Sequence, residues 1–281
     1  MANSEKPSCR HLVRQAARLI QAARRVVIAD AATAQLADLR VATCPDAARL
    51  TRQVDLLMVF GGDGTMLRVA RDIAGSPTPI LGINIGGLGF LTDVPAHQLP
   101  LALKQIWSGE TLLGSRALIE VRGCTQGRPF TQRALNDLVI TRVAAPHLIE
   151  LEVAVDGEIL TCYRCDGLIV CTPTGSTAYS LSAGGAIVSP NAQVFALTPI
   201  CPHTLSNRSV IVSLSSTVQV KILSEKVETV LSADGQGVTP LKAGDVITIR
   251  RSRHLIRFLH LAGSSFFGTL RHKLNWSGTN V

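Results

Sequence analysis

The chain has 281 residues, with 28 Lys and Arg against 20 Asp and Glu. That length suits one large or two modest domains, and the 46% hydrophobic share can bury a sizeable core. The positive balance favours anionic partners, but the cations are scattered arginines with little aromatic interleaving, which argues against nucleic acid. No run of about 18 apolar residues exists, so no membrane helix is expected. The opening MANSEKPSCRHLVRQ lacks the apolar stretch of a signal peptide.

Residues 9–24 show helical spacing, with Leu12, Ala16, Leu19, Ile20 and Ala23 on one stripe. RVVIAD (25–30) reads as a buried strand and 33–39 as a short helix. VDLLMVF (54–60) is a buried strand running into GGDGT, after which a helix carries Leu67, Val69, Ala70 and Ile73. TPILGINIG (78–86) is another strand, and a helix follows Pro95 as far as Trp107. Alternating strands and helices predict a parallel sheet covered by helices. Such a unit normally opens on a strand, whereas here the first element reads as a helix. The sequence therefore suggests that an opening strand has been lost, through a misplaced start or through truncation of the chain.

From about residue 110 the pattern changes to short alternating runs separated by Gly and Asp turns, among them ALNDLVITR, LIELEVAVDG, DGLIVCTP and TVQVKILS. The tail SSFFGTLRHKLNWSG reads as a helix with Phe267, Leu270 and Leu274 on one face. The fold class is thus α/β + β. An N-terminal α/β domain with a parallel sheet spans 1–100 and a β-rich domain 101–260, and a C-terminal helix in 261–281 returns to the first domain.

Seven cysteines without a disulfide framework fit a reducing cytoplasm. Cys162 and Cys165 form a CxxC within a strand-like stretch, where positions i and i+3 point to opposite faces, and no second ligand pair accompanies them. No metal site formed by protein side chains is expected.

Three stretches carry chemistry. Gly61-Gly62-Asp63-Gly64-Thr65 lies between a buried strand and a helix, at the carboxyl edge of a parallel sheet where ligands bind. Its glycines let backbone approach a phosphate, and N–H groups at the helix start can receive it. Asp63 is the only acid in the turn and could take the proton of an attacking hydroxyl, or hold a divalent cation. Arg68 lies one turn further on. Gly82 to Phe90 forms a second glycine-rich strand end, and two such ends in one sheet can line one crevice. Asp166 to Gly185 runs from a strand into a loop dense in hydroxyls and glycine, suited to the polar edges of an adenine, a ribose or a carboxamide. Within it Tyr179 could stack on a ring.

Together GGDGT, GINIGGLGFL, ALNDL, TPTGSTAYSLSAGG and TPICPHTLSNR resemble the NAD kinase family over residues 3 to 276. The GGDGT turn alone is shared with lipid kinases and phosphofructokinases. The resemblance implies transfer of a phosphoryl group from ATP, with Mg2+, to the 2′-hydroxyl of the adenosine ribose of NAD, giving NADP. Some members accept polyphosphate. It makes Asp63 the catalytic residue that activates the 2′-hydroxyl, with Gly61, Gly62, Gly64, Thr65 and Arg68 around the phosphates. Asn136 and Asp137 would bind the NAD adenosine, and Asp166 would meet the nicotinamide end. Thr177, Ala178, Tyr179, Ser180, Leu181 and Ser182 would line the dinucleotide. His147, Arg164 and Gln236 would be secondary contacts, with Arg164 beside Asp166 disfavouring NADH. The family also implies a homodimer or homotetramer. Asn3 to Pro7 resembles the family's turn after its first strand, and Ser209 stands where a proline is frequent. The rival readings are a lipid or sphingoid kinase sharing GGDGT, and a dinucleotide sensor that has lost turnover.

Overall fold

The structure is a computed structural model describing residues 1–3, 5–143, 147–204 and 206–276. Ser4 of the opening turn, Leu205 of the PHTLS motif, and Ser277 and Gly278 of the tail lie outside the described residues. The chain divides into two compact units, Met1–Ser115 with Leu255–Val281, and Arg116–His254.

The first unit runs α1 (Cys9–Ala22), β1 (Ile28–Asp30), α2 (Ala31–Ala37), β2 (Ala42–Cys44), α3 (Ala47–Leu50), β3 (Leu57–Gly61), α4 (Asp63–Asp72), β4 (Ile80–Asn84), β5 (Val94–Pro95) and α5 (Leu99–Ser108). Strands β3, β4 and β5 pair in parallel, from Leu57↔Ile80 to Gly61↔Asn84 and from Ile83↔Val94. Every residue of β4 is buried, as befits a parallel strand covered on both faces. Helix α1 turns Cys9, Leu12, Val13, Ala16 and Ala17 inward, and the first four pack with Phe60, Leu81, Ile83 and Leu99 into one apolar cluster. The short elements α3 and β2 escape sequence reading because each spans barely one turn or three residues.

Helix α1 is the first regular element, as expected, but the residues before it are engaged with the sheet. Met1 to Asn3 pair in parallel alongside β3: Phe60 N donates to Met1 O at 2.9 Å and Asn3 N to Phe60 O at 2.9 Å. Three residues are too few for a periodic signal, which is why the sequence reads as beginning with α1. A cavity of about 500 Å³ adjoins Met1, lined among others by Ile20, Ile28, Leu57 and Trp107. The Met1 ammonium donates to Met58 O at 2.8 Å and lies 3.9 Å from Asp30. Burial pushes its pKa below the ordinary 8.0, and Asp30 offsets part of that effect.

The second unit is all β apart from one short helix. It comprises β6 (Thr111–Thr125, entering from the first unit), β7 (Arg128–Ala134), β8 (Asp137–Arg142), β9 (Ile149–Val155), β10 (Glu158–Cys165), β11 (Gly167–Cys171), α6 (Tyr179–Ser182), β12 (Val194–Ile200), β13 (Val210–Ser213), β14 (Val218–Ile222), β15 (Thr229–Ala233), β16 (Gln236–Leu241) and β17 (Val246–Leu261, which ends in the first unit). One antiparallel sheet has the order β13-β12-β11-β8-β15-β16. Strands β10, β9, β14 and the start of β17 form a second antiparallel layer, and β6 and β7 make a hairpin. Strand β14 alternates, burying Val218, Val220 and Ile222 while Gln219 and Lys221 face outward. The core joins these to Leu138, Ile140, Leu168, Val170, Phe195 and Leu231 of the six-stranded sheet. Strand β11 is buried throughout, because its other face packs Ile169 and Cys171 against Val139 and Ala196. Sequence reading misses β7, β12 and β16, which contain Pro129, Pro199 and Pro240; strand prolines sit on edges or irregularities and weaken the pattern.

Helix α7 (Phe266–Lys273) closes the first unit. Its inward residues are Phe266 and Leu270, not Phe267, which is exposed. Phe266 lies 6.3 Å from the Phe90 ring, and Lys273 Nζ sits 4.5 Å over the same ring. Among the described residues no helix is long and apolar enough to cross a membrane.

The buried Met1 amine makes a prediction. A base with a depressed folded pKa binds less proton than its unfolded counterpart, so its contribution to stability rises as pH climbs towards 8.0. N-terminal acetylation removes the titration. Urea unfolding should therefore show stability rising with pH towards 8.0 in the free-amine protein, with this part of the slope missing from the acetylated protein.

Candidate active site

The GGDGT turn joins β3 to α4. Gly62 caps the helix with extended backbone, and Asp63 is its first residue, where the helix dipole favours an anion. The Asp63 carboxylate accepts hydrogen bonds from Phe90 N at 2.9 Å and Leu91 N at 3.1 Å, so the second glycine-rich run grips the acid of the first. Gly89 makes this possible: a Cβ there would lie 2.1 Å from Asp63 Oδ1 and 2.4 Å from Thr92 Oγ1. Asn84, buried at the end of β4, shapes the same run. Its Nδ2 donates to Gly87 O and Thr92 Oγ1, and its Oδ1 accepts from Gly86 N. The two glycine-rich strand ends do meet, through Asp63.

The glycines of the turn differ in role. A Cβ on Gly61 would strike Thr65 Oγ1 at 2.4 Å, so Gly61 serves packing and the buried Thr65 side chain lies against it. At Gly62 and Gly64 an added Cβ meets no protein atom within 4 Å, and Gly64 is exposed. Backbone is therefore approachable there. Arg68 is exposed on α4.

In the second unit, Asn136 and Asp137 stand where the chain passes from β7 to β8, 9% and 5% exposed. Thr172 holds this stretch by its carbonyls: Thr172 Oγ1 donates to Leu135 O at 2.6 Å and Thr172 N to Asn136 O at 2.9 Å. Gly175 packs so closely that a Cβ would lie 2.1 Å from Asn136 O. Asn136 Oδ1 is buried without a hydrogen-bond partner, an acceptor left for a ligand. Burial, followed by the neighbouring Asp234, pushes the Asp137 carboxyl up to about 7.

The hydroxyl-rich loop forms a short 3₁₀ turn over Thr174–Thr177 and then α6. Tyr179, Ser182 and Gly184 are exposed, and Thr177, Ala178 and Leu181 half-buried. Ser180 points inward instead, bonded to Thr198 Oγ1 at 3.0 Å, which in turn meets Ser209 Oγ at 2.8 Å. Its hydroxyl serves the fold, and Ser209 has a partner that a proline could not supply.

Asp166 pairs with Arg142, Nε to Oδ1 at 2.7 Å. The cation at this acid is therefore Arg142 and not Arg164, which lies on β10 and pairs with Glu150 at 3.1 Å. The argument that Arg164 beside Asp166 disfavours NADH loses its geometric basis. His147 and Gln236 are exposed. Cys162 is exposed and Cys165 buried, and burial raises both thiols, Cys165 to about 12, which disfavours thiolate chemistry. Among the described residues no three His, Cys, Asp or Glu side chains gather as metal ligands.

Sequence reading placed Asn84 and Thr172 inside stretches it singled out without giving either a role of its own, and it passed over Thr92, Arg142 and Asp234. A signal existed for Asp234, whose Asp-Gly pair between two strand-like runs marks a two-residue hairpin. Arg142 carried none, since a lone arginine ending a strand is ordinary.

A carboxylate at a glycine-rich strand end, beside approachable backbone at a helix N-terminus, is an arrangement that suits a nucleotide-dependent phosphotransferase. The comparisons make this specific. The ATP-NAD kinase N-terminal domain matches residues 3–111 and the ATP-NAD kinase C-terminal domain residues 135–261. An NAD kinase of Syntrophotalea carbinolica is 43% identical over 235 residues, 82% of this chain and 81% of the relative. One of Moorella thermoacetica is 41% identical over 286 residues, 99% of this chain and 89% of the relative. Yeast NADH kinase complexed with NADH superposes with a TM-score of 0.89 at 28% identity, covering 100% of this chain and 87% of its own. An Archaeoglobus fulgidus NAD kinase in complex with ATP gives 0.72 at 26%, covering 94% and 93%. The chain belongs to the ATP-NAD kinase family, and it is an enzyme that phosphorylates NAD.

The Gly89 contact yields a test. Gly89→Ala should displace Asp63 or the 89–92 run by about 1 Å and lower turnover by about 100-fold, the usual cost of such a misplacement. Steady-state rates beside a melting curve check it, with the fold expected to survive.

Proposed function

We propose that the protein transfers the terminal phosphoryl group of ATP to the 2′-hydroxyl of the adenosine ribose of NAD, with Asp63 as the residue that takes the hydroxyl proton. The observation that carries this reading is the grip of Phe90 and Leu91 on the Asp63 carboxylate. A carboxylate offers about four acceptor directions. Two hold it in place, and the others can receive the attacking hydroxyl as the phosphorus–oxygen bond forms in line with the departing ADP oxygen.

The backbone at Gly62 and Gly64 and the Arg68 guanidinium hold the donor phosphates; Gly61 and Thr65 shape the turn, packed on each other, with Thr65 N donating to Gly62 O at 3.0 Å. Mg2+ accompanying ATP would neutralise the polyanion and would be held mainly through phosphate oxygens and water. Asp63, the one acid of the turn, would be the side chain to hold it there.

On the acceptor side, Asn136 Oδ1 and the Asp137 carboxyl meet the adenosine, and Asp166 with its partner Arg142 the nicotinamide end. Thr177, Ala178, Tyr179, Leu181 and Ser182 line the dinucleotide, Ser180 contributing through backbone. His147, Arg164 and Gln236 lie further out. The protein acts as a homodimer or homotetramer in the cytoplasm, a compartment that suits seven free cysteines.

Asp63→Asn should cut turnover by at least about 100-fold with NAD binding and fold retained. An assay coupling NADP formation to an NADP-specific dehydrogenase, with ATP and Mg2+, measures it. Near-normal turnover would remove Asp63 from the reaction, and product from diacylglycerol or sphingosine instead of NAD would change the acceptor class.

A further inference from the structure

We infer that Asp234 is a positioning residue for the dinucleotide, fixing the aim of Asn136 and Asp137 by clamping the backbone that carries them. The inference rests on the reading of those two residues as NAD contacts.

Leu135 and Asn136 fall in the gap between β7 and β8, so their N–H groups lack ladder partners, and buried N–H groups demand them. Asp234 supplies them. Its Oδ2 accepts from Leu135 N at 2.9 Å, and its Oδ1 from Asn136 N at 2.8 Å and Asp137 N at 3.3 Å. The reverse bond, Asp234 N to Asp137 O at 3.0 Å, completes the clamp. An ionised acceptor makes such bonds stronger than neutral ones.

The carboxylate sits at the tip of the β15–β16 hairpin, where Asp234 (φ +50°) and Gly235 (φ +67°) form a two-residue turn with both residues left-handed. Asp tolerates that conformation better than most residues. Thr172 holds two of these residues, Leu135 and Asn136, from the carbonyl side, so the stretch is fixed along both edges while Asn136 Oδ1 is left without a partner. The arrangement also has an electrostatic cost. Asp234 places a negative charge beside the buried Asp137 and raises its proton affinity. The other titratable neighbour is Cys171, paired with Asp137 across the β8–β11 ladder and itself raised to about 11 by burial. A residue needed only to close a hairpin would not have to carry this charge.

Asp234→Asn and Asp234→Ala test the inference in the full chain, by NAD titration calorimetry from pH 6 to 8 with kcat and KM measured alongside. Asp234→Ala should weaken NAD binding by about tenfold or more, the scale of leaving a buried amide unsatisfied, and raise KM for NAD more than it lowers kcat. Asp234→Asn keeps one oxygen acceptor and should retain more affinity. It also removes the charge facing Asp137, so the pH at which NAD affinity changes should move downward from near 7. If Asp234→Ala fails to fold, the Asp234→Asn pH profile decides. Unchanged NAD affinity in both variants, or an equal loss in both with an unmoved pH profile, would overturn the inference while the NAD site stands. A wild-type protein that does not bind NAD would overturn the site reading and this inference with it.

Discussion

The active half of the first unit depends on one link, the Asp63 carboxylate bound to the amides of Phe90 and Leu91. It joins the ends of two adjacent parallel strands, β3 and β4, and much of the local sequence answers to it. Gly89 is small because Asp63 occupies the space a side chain would need, and Gly82 because Leu91 O and Thr92 Cα press on β4. Asn84 folds the intervening run back so that its amides reach the acid. Phe90 is braced from outside by Phe266 and Lys273 of α7. The acid is thus oriented before any substrate arrives, and preorganisation of this kind lets a site stabilise developing charge without reorganising during the reaction.

The second unit applies the same device to a different end. Asn136 and Asp137, the residues proposed to meet the adenosine, sit at a short break between strands, and their backbone is held from both edges by residues remote in sequence. One acceptor there is left unpaired, and one carboxyl is held near neutrality by burial. Unsatisfied buried groups are costly, so such features persist where a ligand completes them. The sandwich behind this stretch supplies rigidity: β8 and β11 are buried over most or all of their length in a continuous apolar core.

Much of this was legible in the sequence, and what was not has physical reasons. The buried runs before GGDGT and GINIG declare themselves because a parallel strand covered on both faces must be apolar throughout. The motifs located Asp63, Asn136, Asp137 and the hydroxyl-rich loop. What holds Asp63 was invisible, because backbone amides leave no mark on side-chain identity. Arg142 and Arg164 are indistinguishable as letters, and only the pairing of β8 with β11 brings Arg142 to Asp166. Ser180 reads like its exposed neighbours, yet the one-turn helix points it inward to Thr198. The prolines of β7, β12 and β16 obscured strands that the ladder accommodates.

The central claim is that this held carboxylate meets the acceptor hydroxyl. A crystal structure of the protein with NAD bound tests it most directly. The account predicts one Asp63 carboxylate oxygen at about 2.6–3.2 Å from the 2′-oxygen of the adenosine ribose, hydrogen-bond reach for a general base, with the Phe90 and Leu91 bonds intact. A 2′-hydroxyl turned away from Asp63, with no water linking the two, would contradict it.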